Sequence, residues 1–322
     1  MKKIISLILC ATMCLIVLCS CSAKKQTVMS IGQAEVNSEI FAYFFSDVYS
    51  KTESSGGDLM ATEELTAAAV DRCREYVAAT TLFGKLQLSL SADSKKSIST
   101  STEEEWKLYG GYYADAGISK QTVAKVIEAE EYRKQLLLYY FGEGSEYEVL
   151  EDEIEYYFDR NYVAFRAING YFTTVNEDGD SVPLSDAEII ALKASFEEKR
   201  NRLNAGAEFS EVNDGNDVDS TFIAVTNSAY PKGFLEKVAE LDYDTPTVIE
   251  TDEYIFLVER LDAKKGADNY YATYRTNYIE ALRGEMLTDM LVATGEEYEN
   301  ELNEGRIKKT VKNVISVRND RK

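Results

Sequence analysis

The chain has 322 residues, 45% of them hydrophobic, which is enough to bury a sizeable core in two domains and too much for a disordered or collagen-like chain. Fifty-six Asp and Glu stand against 35 Lys and Arg, and the resulting net charge of -21 repels a phosphate backbone, so nucleic acid is excluded as a partner. Histidine is absent, which removes Ser-His-Asp and Cys-His nucleophile pairs, His-ligated zinc and every mechanism that uses imidazole as acid or base.

Lys2 and Lys3 precede an apolar run from Ile4 to Cys19, the charged and greasy regions of a secretory signal. The run is shorter than the roughly 20 apolar residues of a spanning helix. It ends in Leu18-Cys19-Ser20-Cys21, which resembles the bacterial lipobox. That resemblance implies that residues 1–20 are a lipoprotein signal peptide and that the Cys21 sulfur carries diacylglycerol as the new N-terminus. An ordinary signal peptide cut elsewhere, or an uncleaved anchor, is the alternative. Lys24 and Lys25 follow where they would meet anionic headgroups, and two acyl chains give the stable anchoring that one does not. With Cys10, Cys14 and Cys19 in the signal and Cys21 lipidated, only Cys73 remains as a thiol, so no intramolecular disulfide is possible.

Thr27 to Val36 reads as two short strands around Gly32, and Asn37 is a good N-cap for an amphipathic helix carrying Ile40, Phe41, Phe44 and Phe45. A polar stretch from Lys51 to Asp58 interrupts the pattern. A long helix is expected from about Thr62 to Leu90, with Leu65, Ala69, Cys73 and Val77 on one face, which assigns Cys73 to the core. Ser91 to Ser101 reads as a Ser-rich linker, and Thr102 with Glu105 as a capping box that opens the next helix, closed by Gly117. Ser119 caps a further helix that ends at Gly142 and Gly144, and another spans about Glu151 to Arg160. From Tyr162 the pattern alternates as in a strand, and Asn176 to Asp180 supplies a turn. Ser185 with Glu188 forms a capping box for a helix that stops at Gly206. Strands are expected at Thr221 to Val225, Thr247 to Glu250 and Tyr254 to Val258, with a short helix from Gly233 to Glu240. A helix returns from Asp268 to about Glu299, and residues 306–322, with seven Lys or Arg against one Asp, read as a charged tail in reach of the membrane or the acidic body. The fold class is therefore α+β: a mainly helical module at both chain ends and a small α+β domain between them.

This order of elements is similar to the extracytoplasmic foldases of the SurA and PrsA type, in which N- and C-terminal segments form a helical chaperone module around a parvulin domain. The resemblance rests on the segment from Val28 to Val36 with its Phe-rich helix, on Tyr113 to Ser119 as a helix junction, on Leu203-Asn204-Ala205-Gly206-Ala207-Glu208-Phe209 as the parvulin L-x-x-G-x-x-F, and on Tyr230-Pro231-Lys232-Gly233-Phe234 as the segment lining a proline pocket. It implies a helical SurA-N-like domain over 21–160, completed by 264–322, and a parvulin-like peptidyl-prolyl isomerase domain with a four-stranded antiparallel sheet over 161–262. It also implies unfolded or nascent secreted proteins as partners, at the outer face of a bacterial membrane. Parvulins usually place a histidine on the first strand and another on the last; alignment puts Asn169 and Ile255 at these positions. The third polar group of the family falls at Asp214 or Asp217, and the irregular loop from Val212 to Ser220 leaves the choice open. The candidate peptide groove thus comprises Asn169, Phe222, Tyr230, Phe234 and Ile255, with no catalytic residue assigned.

Prolyl isomerisation makes and breaks no covalent bond; it rotates an amide against a barrier of about 18–20 kcal/mol. An apolar cleft that favours the twisted state retains some rate, but without imidazoles this one is expected to bind chain weakly and isomerise it poorly, and polypeptide is expected to be held on apolar surfaces of the helical module. An active isomerase and a ligand-binding transporter lipoprotein are the rival readings. The transporter reading needs a deep cleft between two α/β lobes, which the element order does not offer. Asn176 to Asp180 lacks the glycine position and twelfth-position glutamate of a calcium loop, so a hairpin tip is expected there, and no metal or cofactor is assigned. Glu103 to Glu105 and Glu151 to Glu153 read as solvated helix starts, where negative charge suits the dipole.

Overall fold

A computed structural model describes residues 26–265, 269–298 and 300–321. In chain order the strands are β1 (Thr27–Ile31), β2 (Ala34–Asn37), β3 (Tyr162–Tyr171), β4 (Thr173–Val175), β5 (Ser181–Pro183), β6 (Thr221–Ala224), β7 (Thr247–Glu250), β8 (Tyr254–Leu261) and β9 (Asn300–Leu302). The helices are α1 (Ser38–Ser54), α2 (Thr62–Lys85), α3 (Ala92–Asp115), α4 (Lys120–Phe141), α5 (Glu151–Asn161), α6 (Asp186–Asn204), α7 (Phe209–Val212), α8 (Phe234–Ala239), α9 (Tyr270–Thr273), α10 (Arg275–Glu296) and α11 (Glu304–Asn319). They group into two units, one from residues up to Tyr140 and from Arg283 onward, the other from Phe141 to Leu282.

In the first unit the Asn37 side chain accepts hydrogen bonds from the Glu39 and Ile40 backbone N–H groups, satisfying two donors that the start of α1 would otherwise orphan. Gly32, at φ +56°, closes the tight turn between β1 and β2 in a conformation that a side chain would strain. β9 pairs antiparallel with the other edge of β1, giving the order β2-β1-β9. The expected stripe of Leu65, Ala69, Cys73 and Val77 is buried against the phenylalanines of α1 and against Val311 and Val314 of α11. Burial drives the Cys73 thiol far above its ordinary pKa and keeps it inert. Glu75, 4% exposed, is ion-paired with Arg72 and with Arg133, whose Nε lies 3.0 Å away; Arg133 Nη2 also donates to the Gly284 carbonyl and to Thr288 Oγ1.

Several expectations fail here. The Ser-rich stretch is not a linker: it forms the first turns of α3, with Ser91 as the cap that accepts from Ser94 N–H. Thr102 lies inside that helix, buried, and donates to the Ile98 carbonyl instead of capping anything. Serine is a weak helix breaker, and a threonine hydroxyl can bond back to the carbonyl four residues earlier, so neither residue type dictates an end. Glu105 accordingly is no solvated helix start; its Oε1 accepts from the Tyr43 and Tyr113 hydroxyls at 3.0 and 2.6 Å. Nor are residues 306–322 a tail, because Ile307, Val311 and Val314 recur at helical spacing and bury one face of α11.

The second unit is built on an antiparallel sheet of order β6-β3-β8-β7, the four-stranded α+β fold expected for the middle of the chain. β3 and β8 pair continuously from Ala164↔Leu261 to Tyr171↔Tyr254. Side chains alternate between faces, so each face packs its own helix. Phe196 and Leu203 of α6 cover Ile168, Ile255 and Leu257, whereas Phe234, Leu235 and Val238 of α8 cover Val163, Phe165, Phe256 and Val258. Gly170 lets α6 approach β3 closely, since a Cβ there would lie 2.9 Å from the Phe196 ring. The Ser185–Glu188 capping box forms as expected, and Asn176 closes the β4–β5 hairpin by accepting from the Asp178 and Asp180 N–H groups.

Candidate groove on the sheet of the second unit

Alternate residues of β3, namely Phe165, Ala167, Asn169 and Tyr171, line an open groove of about 1070 Å³ together with Tyr254 and Phe256 of β8. The register sets Asn169 directly opposite Phe256, and Tyr171 opposite Tyr254, whose rings lie 5.3 Å apart. One wall is the segment from Ser228 to Lys232. Its Tyr230 ring stacks on Phe234 at 5.4 Å and meets Phe165 edge-on at 5.5 Å. Gly233, at φ +79°, turns this segment into α8 through a left-handed conformation that other residues adopt only with strain. The rim carries Asp219, Glu250, Asp252 and Glu253, opposed by Lys232 and Lys237, and the Glu250 carboxylate is held by Lys193. An open groove with a buried apolar floor and a polar rim suits a polypeptide better than a small enclosed ligand.

Of the sequence-based candidates, Asn169 and Tyr230 line the groove, and Asn169 is exposed in it. Phe234 lies beneath the groove, fully buried, with its ring 4.2 Å from Phe256. Ile255 is a correction. It is fully buried on the opposite face against α6, because a one-residue slip along a strand exchanges the two faces; Phe256 is the residue that faces Asn169. Phe222 is a second correction of the same origin. Its neighbour Thr221 lines the groove, while the Phe222 ring stacks on Tyr270 at 4.7 Å and on Phe158 at 6.0 Å. Neither Asp214 nor Asp217 lines the groove; Asp219 does. Sequence reasoning missed Tyr254, Phe256 and Asp219. The alternation Phe165-x-Ala167-x-Asn169-x-Tyr171 marks the groove face of β3, but only the cross-strand register decides which residues of β8 share it.

Phe222 belongs instead to an aromatic cluster with Phe158, Tyr162 and Tyr278, joined by Tyr271 and Tyr274. The Glu151 carboxylate, bonded by the Tyr271 hydroxyl and by Arg275, is held below the usual carboxylate range, and burial together with that carboxylate raises Tyr271. Cys21 lies outside the described residues. Among the described residues no helix is long and apolar enough to cross a membrane, and no group of three or more Cys, Asp or Glu is placed to hold a metal ion.

The class that these features define is a chain with a helical unit made from both of its ends and an α+β unit carrying an open, aromatic-floored groove. The chain matches no protein-family model, and no curated protein matches it. Solved structures to which it is similar include foldase protein PrsA from Lactococcus lactis, at 12% identity and a TM-score of 0.40 over 90% of this chain and 99% of that one. PrsA from Streptococcus pneumoniae str. Canada MDR_19A gives 14% identity and a TM-score of 0.41 over 82% and 93% of the two chains. PrsA from Bacillus subtilis gives 11% and 0.27 over 91% and 93%.

Proposed function

We propose that this chain is a chaperone of the SurA and PrsA foldase type, anchored by lipid at Cys21 on the outer face of a bacterial membrane, where it holds newly secreted, unfolded polypeptides. In this reading residues 1–20 are removed as the signal, and the sheet of the second unit is a parvulin-like domain that isomerises proline bonds poorly. The observation that carries the reading is the groove. Exposed Tyr171 and half-buried Ala167, Tyr230 and Tyr254 offer apolar area to an extended chain above a buried floor of Phe165 and Phe256, and exposed Asn169 supplies one amide among these rings. An amide can hydrogen-bond a peptide carbonyl but cannot exchange a proton with it near neutral pH, so the twisted amide gains little beyond apolar surroundings.

The test pairs two assays on the chain from Ser22 onward. Suppressed aggregation of a denatured protein, with no acceleration of proline isomerisation in a protease-coupled peptide assay, is the expected result. Acceleration would establish the active isomerase instead, and failure in both assays would end the chaperone reading.

A further inference from the structure

We infer that the outward face of α11 is a docking surface for an anionic phospholipid bilayer, which sets the orientation of the first unit on the membrane; this rests on the reading of Cys21 as the lipid anchor. The net charge of -21 makes such a face unexpected. Yet Glu304 to Arg321 carries six Lys or Arg against two acidic residues. The structure sorts these charges. Arg318 turns inward to Glu53 at 2.8 Å, and Arg321 is paired at the surface with Asp115. Lys308, Lys309 and Lys312 are exposed, and Lys309 and Lys312 pair with no carboxylate among the described residues. Lys308 lies 3.9 Å from Glu304, and both are about 80% exposed, so solvent screens that pair nearly away.

The second argument is reach. Arg306 Nη1 donates to the Thr27 carbonyl at 2.8 Å, and Asn303 N–H to the Val28 carbonyl at 2.9 Å, so the start of α11 is fastened to the strand that Cys21 precedes. Five residues lie between Cys21 and Thr27, and the six steps from one to the other span about 20 Å at most when fully extended. The anchor therefore holds the first turns of α11 close to the headgroups. At physiological salt, fields fade over about 8 Å, so the nearest lysines act on the bilayer while the distant acidic surface is screened. Beside these lysines, exposed Leu302 and Ala67 and half-buried Ile315 present apolar area that the acyl boundary can cover, in a groove of about 910 Å³ floored by buried Val70, Ile307 and Val311.

Each lysine near an anionic surface favours the docked state by about fivefold, and three by roughly 150-fold. The test uses the chain from Cys21 onward, coupled through that thiol to a maleimide lipid in vesicles, Cys73 being fully buried. Acylation of Lys308, Lys309 and Lys312 is followed by mass spectrometry on phosphatidylglycerol-rich and on pure phosphatidylcholine vesicles. Labelling at least tenfold slower on the anionic vesicles, restored by 0.5 M salt, is expected. The variant Lys308→Gln with Lys312→Gln, its helicity checked by circular dichroism, should return Lys309 to the rate seen on phosphatidylcholine. Equal labelling on both lipids, or protection that survives salt, would overturn the docking surface. Because the tether is chemical, the answer does not depend on whether cells lipidate Cys21, which the mass of the membrane-extracted protein decides separately.

Discussion

Replacing Phe234 by Ala should unfold the groove from below rather than blunt it from above. The side chain is fully buried, and its ring touches Phe256 at 4.2 Å, Tyr230 at 5.4 Å and Phe165 at 5.8 Å. Deleting a buried phenylalanine ring costs about 3–5 kcal/mol, because the lost transfer energy is joined by a cavity that rigid neighbours cannot close. Against a total domain stability of about 5–15 kcal/mol, that is a large fraction. Hydrogen exchange resolves the effect locally. At about 1.4 kcal/mol per factor of ten, amide protection in β3 and β8 should fall by roughly 10² to several times 10³. Tyr230→Ala is the informative contrast, since Tyr230 is half-buried and lines the groove. It should weaken capture of unfolded chain while leaving most of that protection in place. Protection in β3 and β8 unchanged within tenfold for Phe234→Ala would refute the placement of this ring at the centre of the core.

Three further outcomes follow from the packing. Gly170→Ala should destabilise the second unit by about 1–3 kcal/mol, measured by exchange in β3 and α6, because the added methyl meets the Phe196 ring at 2.9 Å; an unchanged unit would mean α6 does not seat there. Arg133→Met removes one partner of the buried Glu75 carboxylate and should cost the first unit about 3–5 kcal/mol in urea unfolding followed by Trp106 fluorescence, and an unmoved midpoint would contradict the network. Burial and the Glu105 carboxylate raise Tyr43 and Tyr113 well above the ordinary tyrosine range. The folded state thus holds these protons more tightly than the unfolded one, so their contribution is complete below about pH 10 and is lost as pH climbs beyond it. Helicity should therefore fall together with the late rise of tyrosinate absorbance, and a full titration near pH 10 with helicity intact would sink the argument.

What the sequence reveals is mostly local. Asn37 and the Ser185–Glu188 box announce helix starts because capping needs only neighbouring residues, and the Leu65-to-Val77 stripe announces a buried face because its spacing matches the helical turn. Ser91 to Thr102 misleads, since the same hydroxyls that cap helices are tolerated within them when tertiary contacts hold the helix in place. β9 escapes notice because three residues, Asn300 to Leu302, carry no periodicity of their own and become a strand only by pairing with β1. In the groove, Asn169 and Tyr230 are legible from the strand alternation and from the Tyr230-Pro231 segment, whereas Ile255 for Phe256 and Phe222 for Thr221 are errors of a single position. Such errors are natural: both faces of β8 are apolar, because helices cover both, so alternation does not mark which residues face the groove.

The central claim is that unfolded chain lies along the Asn169 face of the sheet. A photoreactive phenylalanine analogue placed at Tyr254, and in a second protein at Phe222, reports on it directly. Irradiation with an unfolded, proline-containing client should yield adducts from position 254, competed away by excess client peptide, and none from position 222. Adducts from position 222 with none from 254 would contradict the account.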